Sequence, residues 1–124
     1  MKTKLIATVA ALGLLLASST SAQQKAGPNG GMIAGKDGHE TELVVSATEL
    51  TVYILDDGKP HSTKGSNLKA VVQDAGKATP VELKDDDGKK LVGKLAAPLA
   101  KGAIVVLTGK DGEGHAISAR YVIN

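Results

Sequence analysis

The sequence of 124 residues contains no cysteine, no phenylalanine and no tryptophan. Without cysteine the chain can form no disulfide and no thiolate metal site, and it has neither a cysteine nucleophile nor a lipidation site behind a signal. Tyr53 and Tyr121 are the only aromatic residues, too few to make a platform for stacked bases. No Gly-x-Ser-x-Gly elbow and no glycine-rich phosphate loop is present, so the chain reads as a non-enzyme. Beyond the first residue Met32 is the only methionine, which excludes a methionine-rich copper(I) site. The longest apolar run, Leu5 to Leu16, is broken only by Thr8 and Gly13 and falls well short of the ~20 residues that span a bilayer as a helix.

That run belongs to a different pattern. Lys2 and Lys4 precede it, and the small residues Ala17-Ser18-Ser19-Thr20-Ser21-Ala22 follow, with Thr20 and Ala22 at the two positions a signal peptidase inspects. Basic start, apolar core and small-residue end in that order predict a cleavable signal over residues 1–22. The expected mature chain begins at Gln23, is periplasmic or secreted, and keeps no membrane segment. Lys2 and Lys4 leave with the signal, so the remainder carries 13 basic and 13 acidic residues. A net charge of zero removes the clustered positive surface that nucleic-acid binding requires.

The rest divides into a lead-in over residues 23–38, rich in turn formers and read as flexible, and one domain over residues 39–124. In the domain, apolar residues alternate with polar ones. Thr41, Leu43 and Val45 form one such set, Leu50, Val52 and Ile54 a second, and Leu68, Ala70 and Val72 a third. Val81 and Leu83 follow, then the runs 91–95, 103–107 and 116–123. Period two predicts half-buried strands, and the continuously apolar stretch from Ala103 to Leu107 predicts a strand buried on both faces. Asp57-Gly58, Asp87-Gly88 and Asp111-Gly112 stand between runs as tight-turn signals. The expected fold is all-β, an antiparallel immunoglobulin-like sandwich of about seven strands. Val52, Ile54, Ala70, Val72, Val105 and Leu107 are its predicted core. Glu40 and Glu42 fall on a predicted solvent face, and Tyr53, Leu55 and Val71 on outer sides.

Three histidines are the best available metal ligands. If seven strands alternate up and down, His39, His61 and His115 come to one pole, together with Asp37, Asp57, Asp87 and Asp111. Imidazole with carboxylate suits Zn²⁺, Cu²⁺ or Ni²⁺, and three histidines leave a coordination position open. The competing reading is that histidine and aspartate are ordinary turn residues that share a pole without converging. Asp85-Asp86-Asp87-Gly88 lacks the spaced ligands and closing glutamate of a calcium loop and reads as a solvated turn.

Pro28-Asn29-Gly30-Gly31-Met32-Ile33, then His39-x-x-Glu42-Leu43-Val44-Val45, then Val52-Tyr53-Ile54-Leu55-Asp56-Asp57-Gly58-Lys59-Pro60 resembles a family of small exported sandwich domains. Such modules occur alone and, in related form, as amino-terminal extensions of periplasmic adaptor subunits of heavy-metal efflux pumps. The resemblance spans roughly residues 27–124, with motif content in the first third. Many efflux-associated relatives carry a histidine where this chain has Asn29, and the cysteine-rich tail of some stand-alone relatives is missing here. The resemblance implies fold and compartment, and an efflux-system protein as partner. Together these readings predict a non-catalytic exported binding or accessory module linked to transition-metal homeostasis. The alternative is a structural or protein-interaction domain with no ligand of its own.

Overall fold

In an extended strand, side chains two apart share a face, and the alternating runs use that rule to build two apolar surfaces that bury each other. In the computed structural model, which describes residues 24–36 and 38–124, eleven short strands and no helix occur among those residues. The expected signal peptide, Gln23 and Asp37 lie outside the described residues. The first sheet runs, in spatial order, β1 (Lys25–Ala26), β2 (Met32–Lys36), β3 (His39–Val45), β4 (Glu49–Asp56), β9 (Lys90–Lys94) and β8 (Lys84–Asp86). β5 (Lys59–His61) pairs with β4 as well, using Ile54 to Asp56 where β9 uses Glu49 to Val52. The second sheet runs β11 (Ala116–Val122), β10 (Ile104–Lys110), β6 (Asn67–Asp74) and β7 (Lys77–Val81). Every pairing is antiparallel.

The sheets face each other as a β-sandwich. Leu43, Leu50, Val52, Ile54 and Leu91 from the first meet Leu68, Ala70, Val72, Val105, Leu107, Ile117, Ala119 and Tyr121 from the second. All six predicted core residues are among the buried ones. At about 1.5–3 kcal/mol for each aliphatic side chain taken from water, these positions supply most of the drive to fold. Among the described residues no buried side-chain nitrogen or oxygen lacks a hydrogen-bond partner.

Several expectations need correction. The strands number eleven rather than about seven, because short segments with little apolar content still pair. The lead-in is part of the sheet: β2 pairs along its whole length with β3, from Met32↔Leu43 to Lys36↔His39. Its sequence hides this, because Gly35 carries no side chain and lies at φ +123°, a conformation suited to glycine. The run from Ala103 to Leu107 is buried at Ala103, Val105 and Leu107 and only half-buried at Ile104 and Val106, so one face of β10 meets the core. Leu55 is buried although it lies on the outer side of β4, where Pro60 of β5 stands opposite it. Glu42 is also buried, for a reason that involves the lead-in.

The Glu42 carboxylate sits under the Pro28-to-Gly31 turn and accepts three hydrogen bonds. They come from the backbone N–H of Asn29 (2.9 Å), the side-chain amide of Asn29 (2.9 Å) and the backbone N–H of Gly31 (2.8 Å). The turn is closed by Gly27 N–H donating to the Gly31 carbonyl at 2.9 Å. A β-carbon on Gly31 would lie 2.3 Å from the Leu43 carbonyl oxygen, so only glycine lets the turn approach β3. Alternation had given the face of Glu42 correctly. A segment distant in sequence covers that face.

The seam between the two sheets runs along β2 and β11. There the Tyr121 hydroxyl donates to the Thr41 carbonyl and lies 2.6 Å from the Thr41 hydroxyl. With its amide oriented to satisfy both groups, the Gln24 side chain accepts from Val122 N–H at 2.6 Å and donates to the Val122 carbonyl at 3.3 Å. At the opposite side of the sandwich β7 is an edge strand, guarded by Lys77 and by Pro80, which cannot donate to a further strand.

Candidate metal centre

The turn chemistry sorts the three aspartate-glycine signals. Asp57 and Gly58 both have positive φ (49° and 79°) and connect the paired residues Asp56 and Lys59, a two-residue hairpin turn. Asp87 and Gly88 also have positive φ, in a three-residue connection between Asp86 and Lys90. Asp111-Gly112 differs. It opens a five-residue loop between Lys110 and Ala116, and Asp111 organises that loop through its side chain.

One Asp111 carboxylate oxygen accepts the backbone N–H groups of Glu113 (2.9 Å) and His115 (2.8 Å). The other stands 3.0 Å from Nδ1 of His115. The Asp111 N–H in turn donates to the His115 carbonyl at 3.0 Å, and Gly114 N–H to the Asp111 carbonyl at 3.1 Å. Asp111 is buried, and that burial works to raise its pKa. The hydrogen bonds from His115 and Glu113 outweigh it, so the carboxyl titrates below its ordinary value. Gly112 seats the loop: a β-carbon there would come within 2.1 Å of the Lys64 carbonyl oxygen.

His39 opens β3 and has the parity of the inward-facing Thr41 and Leu43, while His115 has that of the inward-facing Ile117, Ala119 and Tyr121. At the end of the sandwich, where the apolar layer stops, the two imidazoles stack with ring centroids 4.6 Å apart and planes inclined by 24°. His39, His115 and Asp111 each offer a ligand atom, and these atoms lie within 4.8 Å of one another. Bonds of ~2.0–2.1 Å in a four-coordinate zinc site put neighbouring ligand atoms about 3.3 Å apart, closer than the 4.8 Å limit within which these three lie.

His61, at the end of β5, is outside that trio but not remote. Its Nε2 lies 3.4 Å from one oxygen of Glu113, whose other oxygen lies 3.7 Å from Nδ1 of His115. Its Nδ1 donates to the Ser62 carbonyl at 2.8 Å. That carbonyl raises the His61 pKa, burial opposes the change, and Glu113 and Asp111 add to the rise, so the ring protonates above its ordinary value. Below these groups the 62–66 connection ties the hairpins together. Thr63 N–H donates to the Gly88 carbonyl at 2.9 Å, and its hydroxyl donates to Asp85.

The structure therefore brings His39 and His115 into contact and links His61 to them through Glu113. Of the aspartates assigned to this pole, Asp111 is in the cluster. Asp57 lies near Gly38, whose β-carbon would stand 3.5 Å from its carboxylate. Asp87 is exposed and only loosely paired with Lys89 at 4.0 Å. Sequence reasoning passed over Glu113. Its signal was the spacing Asp111-x-Glu113-x-His115, three chemistry-bearing side chains at alternate positions of one loop. Among the described residues no helix is long and apolar enough to cross a membrane. No family model, no curated protein and no solved structure matches the chain.

Proposed function

We propose that this chain is an exported, non-catalytic accessory module that binds a divalent transition metal through His39, His115 and Asp111. The observation that carries this reading is the convergence of two imidazoles and a buried carboxylate from opposite sheets at one end of the sandwich. Two nitrogens and an oxygen, with no sulfur, suit Zn²⁺, Cu²⁺ or Ni²⁺ better than copper(I). The resemblance to efflux-associated domains agrees with this chemistry, and an efflux-system protein is the partner it suggests. On the same reading, the two packed antiparallel sheets form an immunoglobulin-like sandwich. Native mass spectrometry of the chain with each of the three ions is the test. One bound ion per chain, lost in His39→Ala and His115→Ala, is the expected result, and no retained ion would refute it.

A second reading, a protein-interaction module without its own ligand, is favoured by one other feature. A cleft of about 600 Å³ at the β2–β11 seam is lined by three basic side chains, Lys25, Lys36 and Arg120, and one acidic one, Glu40. Such a surface fits an acidic segment of another protein. Loss of binding to an efflux-system partner in Lys36→Glu/Arg120→Glu, with metal uptake absent in every variant, would select this reading over the first.

A further inference from the structure

We propose that Glu113 is the fourth protein ligand of the centre and that His61 is the residue that positions it. The inference rests on the metal-binding reading above. Its structural basis is a carboxylate shared between two histidines: one Glu113 oxygen is 3.7 Å from Nδ1 of His115, the other 3.4 Å from Nε2 of His61.

The two ends of this arrangement differ in freedom. The backbone of Glu113 is fixed, because its N–H is bonded to Asp111, yet 64% of its side chain is exposed. The His61 side chain is only 17% exposed, and the Ser62 carbonyl takes its Nδ1–H, so Nε2 faces Glu113 and donates to it in the ring that carries both protons. An exposed carboxylate thus lies against a largely covered imidazole, beside a cluster that already presents three ligand atoms. A short swing of the carboxyl group brings one oxygen to the ion while the other keeps its contact with His61. Ligating carboxylates are themselves commonly hydrogen-bonded by an outer partner, the role this gives His61.

Charge decides the class of ion. Asp111 and Glu113 together offer two negative charges, and the two ligating imidazoles, neutral when they bind, add none; the His61 ring stands outside the ligand set. The set therefore balances a divalent cation and leaves a monovalent one over-compensated. Four protein ligands, two nitrogens and two oxygens, also complete a tetrahedral shell without a sulfur donor.

The test is titration of the full chain with Zn²⁺ and with Co²⁺, whose visible absorption is intense in four-coordinate sites and weak in six-coordinate ones. Wild type should bind Co²⁺ with the intense spectrum. Glu113→Gln should lose more affinity than the ~10–100-fold that removal of an outer-shell partner costs, and its Co²⁺ spectrum should shift as water takes the place of the carboxylate. His61→Ala should lose roughly 10–100-fold while keeping the four-coordinate spectrum. Circular dichroism should be unchanged in both, since the backbone bonds of the 111–115 loop involve neither head group and His61 bonds only one backbone group, the neighbouring Ser62 carbonyl. Glu113→Gln with wild-type affinity and spectrum would overturn the assignment of Glu113, even though the centre itself binds. Wild type that takes up neither ion would overturn the metal-binding reading, and this inference with it.

Discussion

The hydroxyl groups of Tyr121 and Thr41 meet at 2.6 Å across the two sheets, and Tyr121 is the only aromatic residue in the core. Tyr121 also donates to the Thr41 carbonyl. Burial pushes the Tyr121 hydroxyl pKa far above its usual range, against the opposing pull of its bond to Thr41. Tyr121→Phe should cost about 1–3 kcal/mol, because buried polar groups on Thr41 lose their partner while the ring still fills its space. Urea midpoints measure this. A raised folded-state pKa gives stability that is full below the unfolded value near ~10 and lost as pH rises beyond it, so the wild-type advantage over Tyr121→Phe should shrink in alkali.

Ile54 is 3% exposed and contributes to the contact between the sheets. Ile54→Ala should destabilise the fold by roughly 2–5 kcal/mol, out of a typical total of about 5–15 kcal/mol. An unmoved denaturation midpoint would contradict the register of β4.

Glu42 should be intolerant of truncation. Glu42→Ala leaves the N–H groups of Asn29 and Gly31 without their acceptor and should cost about 3 kcal/mol or more. Glu42→Gln should cost less, since its amide oxygen can keep both N–H groups while Asn29 turns its own amide to accept. Gly31→Ala should be as damaging as Glu42→Ala, because its methyl would collide with the Leu43 carbonyl. Thermal melts of the three variants supply the ranking.

Asp111 and His61 give opposite pH dependences. The lowered pKa of Asp111 contributes stability present above its unfolded value near ~3.9 and lost as pH falls through the lower folded value. The raised pKa of His61 contributes stability present below ~6.5 and lost as pH rises through the folded value. Asp111→Asn should therefore flatten the acid limb of a stability–pH curve, and His61→Ala the limb near neutrality. Urea midpoints collected across pH separate the two.

Metal affinity should fall as the solution is acidified, because protons compete for the imidazole nitrogens that an ion needs. His115→Ala should weaken binding far more than Asp87→Asn, since the Asp87 side chain is 82% exposed and outside the cluster. Calorimetric titration with Zn²⁺ at several pH values reads both effects.

The strands richest in alternation, β4, β6 and β11, were legible because period two and burial coincide at Leu50, Val52 and Ile54, at Leu68, Ala70 and Val72, and at Ile117, Ala119 and Tyr121. β7 was harder to read. Lys77 to Pro80 are all exposed, and its entry turn is formed by Ala75-Gly76 at φ 49° and 79°, an alanine where aspartate or asparagine is usual. Glu42 and Leu55 escaped because their cover comes from other segments, and local alternation carries no record of such cover. The pole of the histidines followed from alternating strand directions. The contact between His39 and His115 did not, because it depends on how one sheet lies over the other.

The seam along β2 and β11 has a consequence for how the molecule is made. Gln24 grips Val122, and Thr41 meets Tyr121. Residues far apart in the sequence thus close one joint, with Thr41 standing 80 positions from Tyr121. Contacts of such long sequence separation form late and slow folding, because the intervening loop must be ordered first. During synthesis the amino-terminal strands emerge well before β11 exists, and their apolar faces have no second sheet to complete. Until residues 116–122 are made, the β2 side of the seam has no β11 to close on, so this joint is among the last parts of the sandwich to be completed.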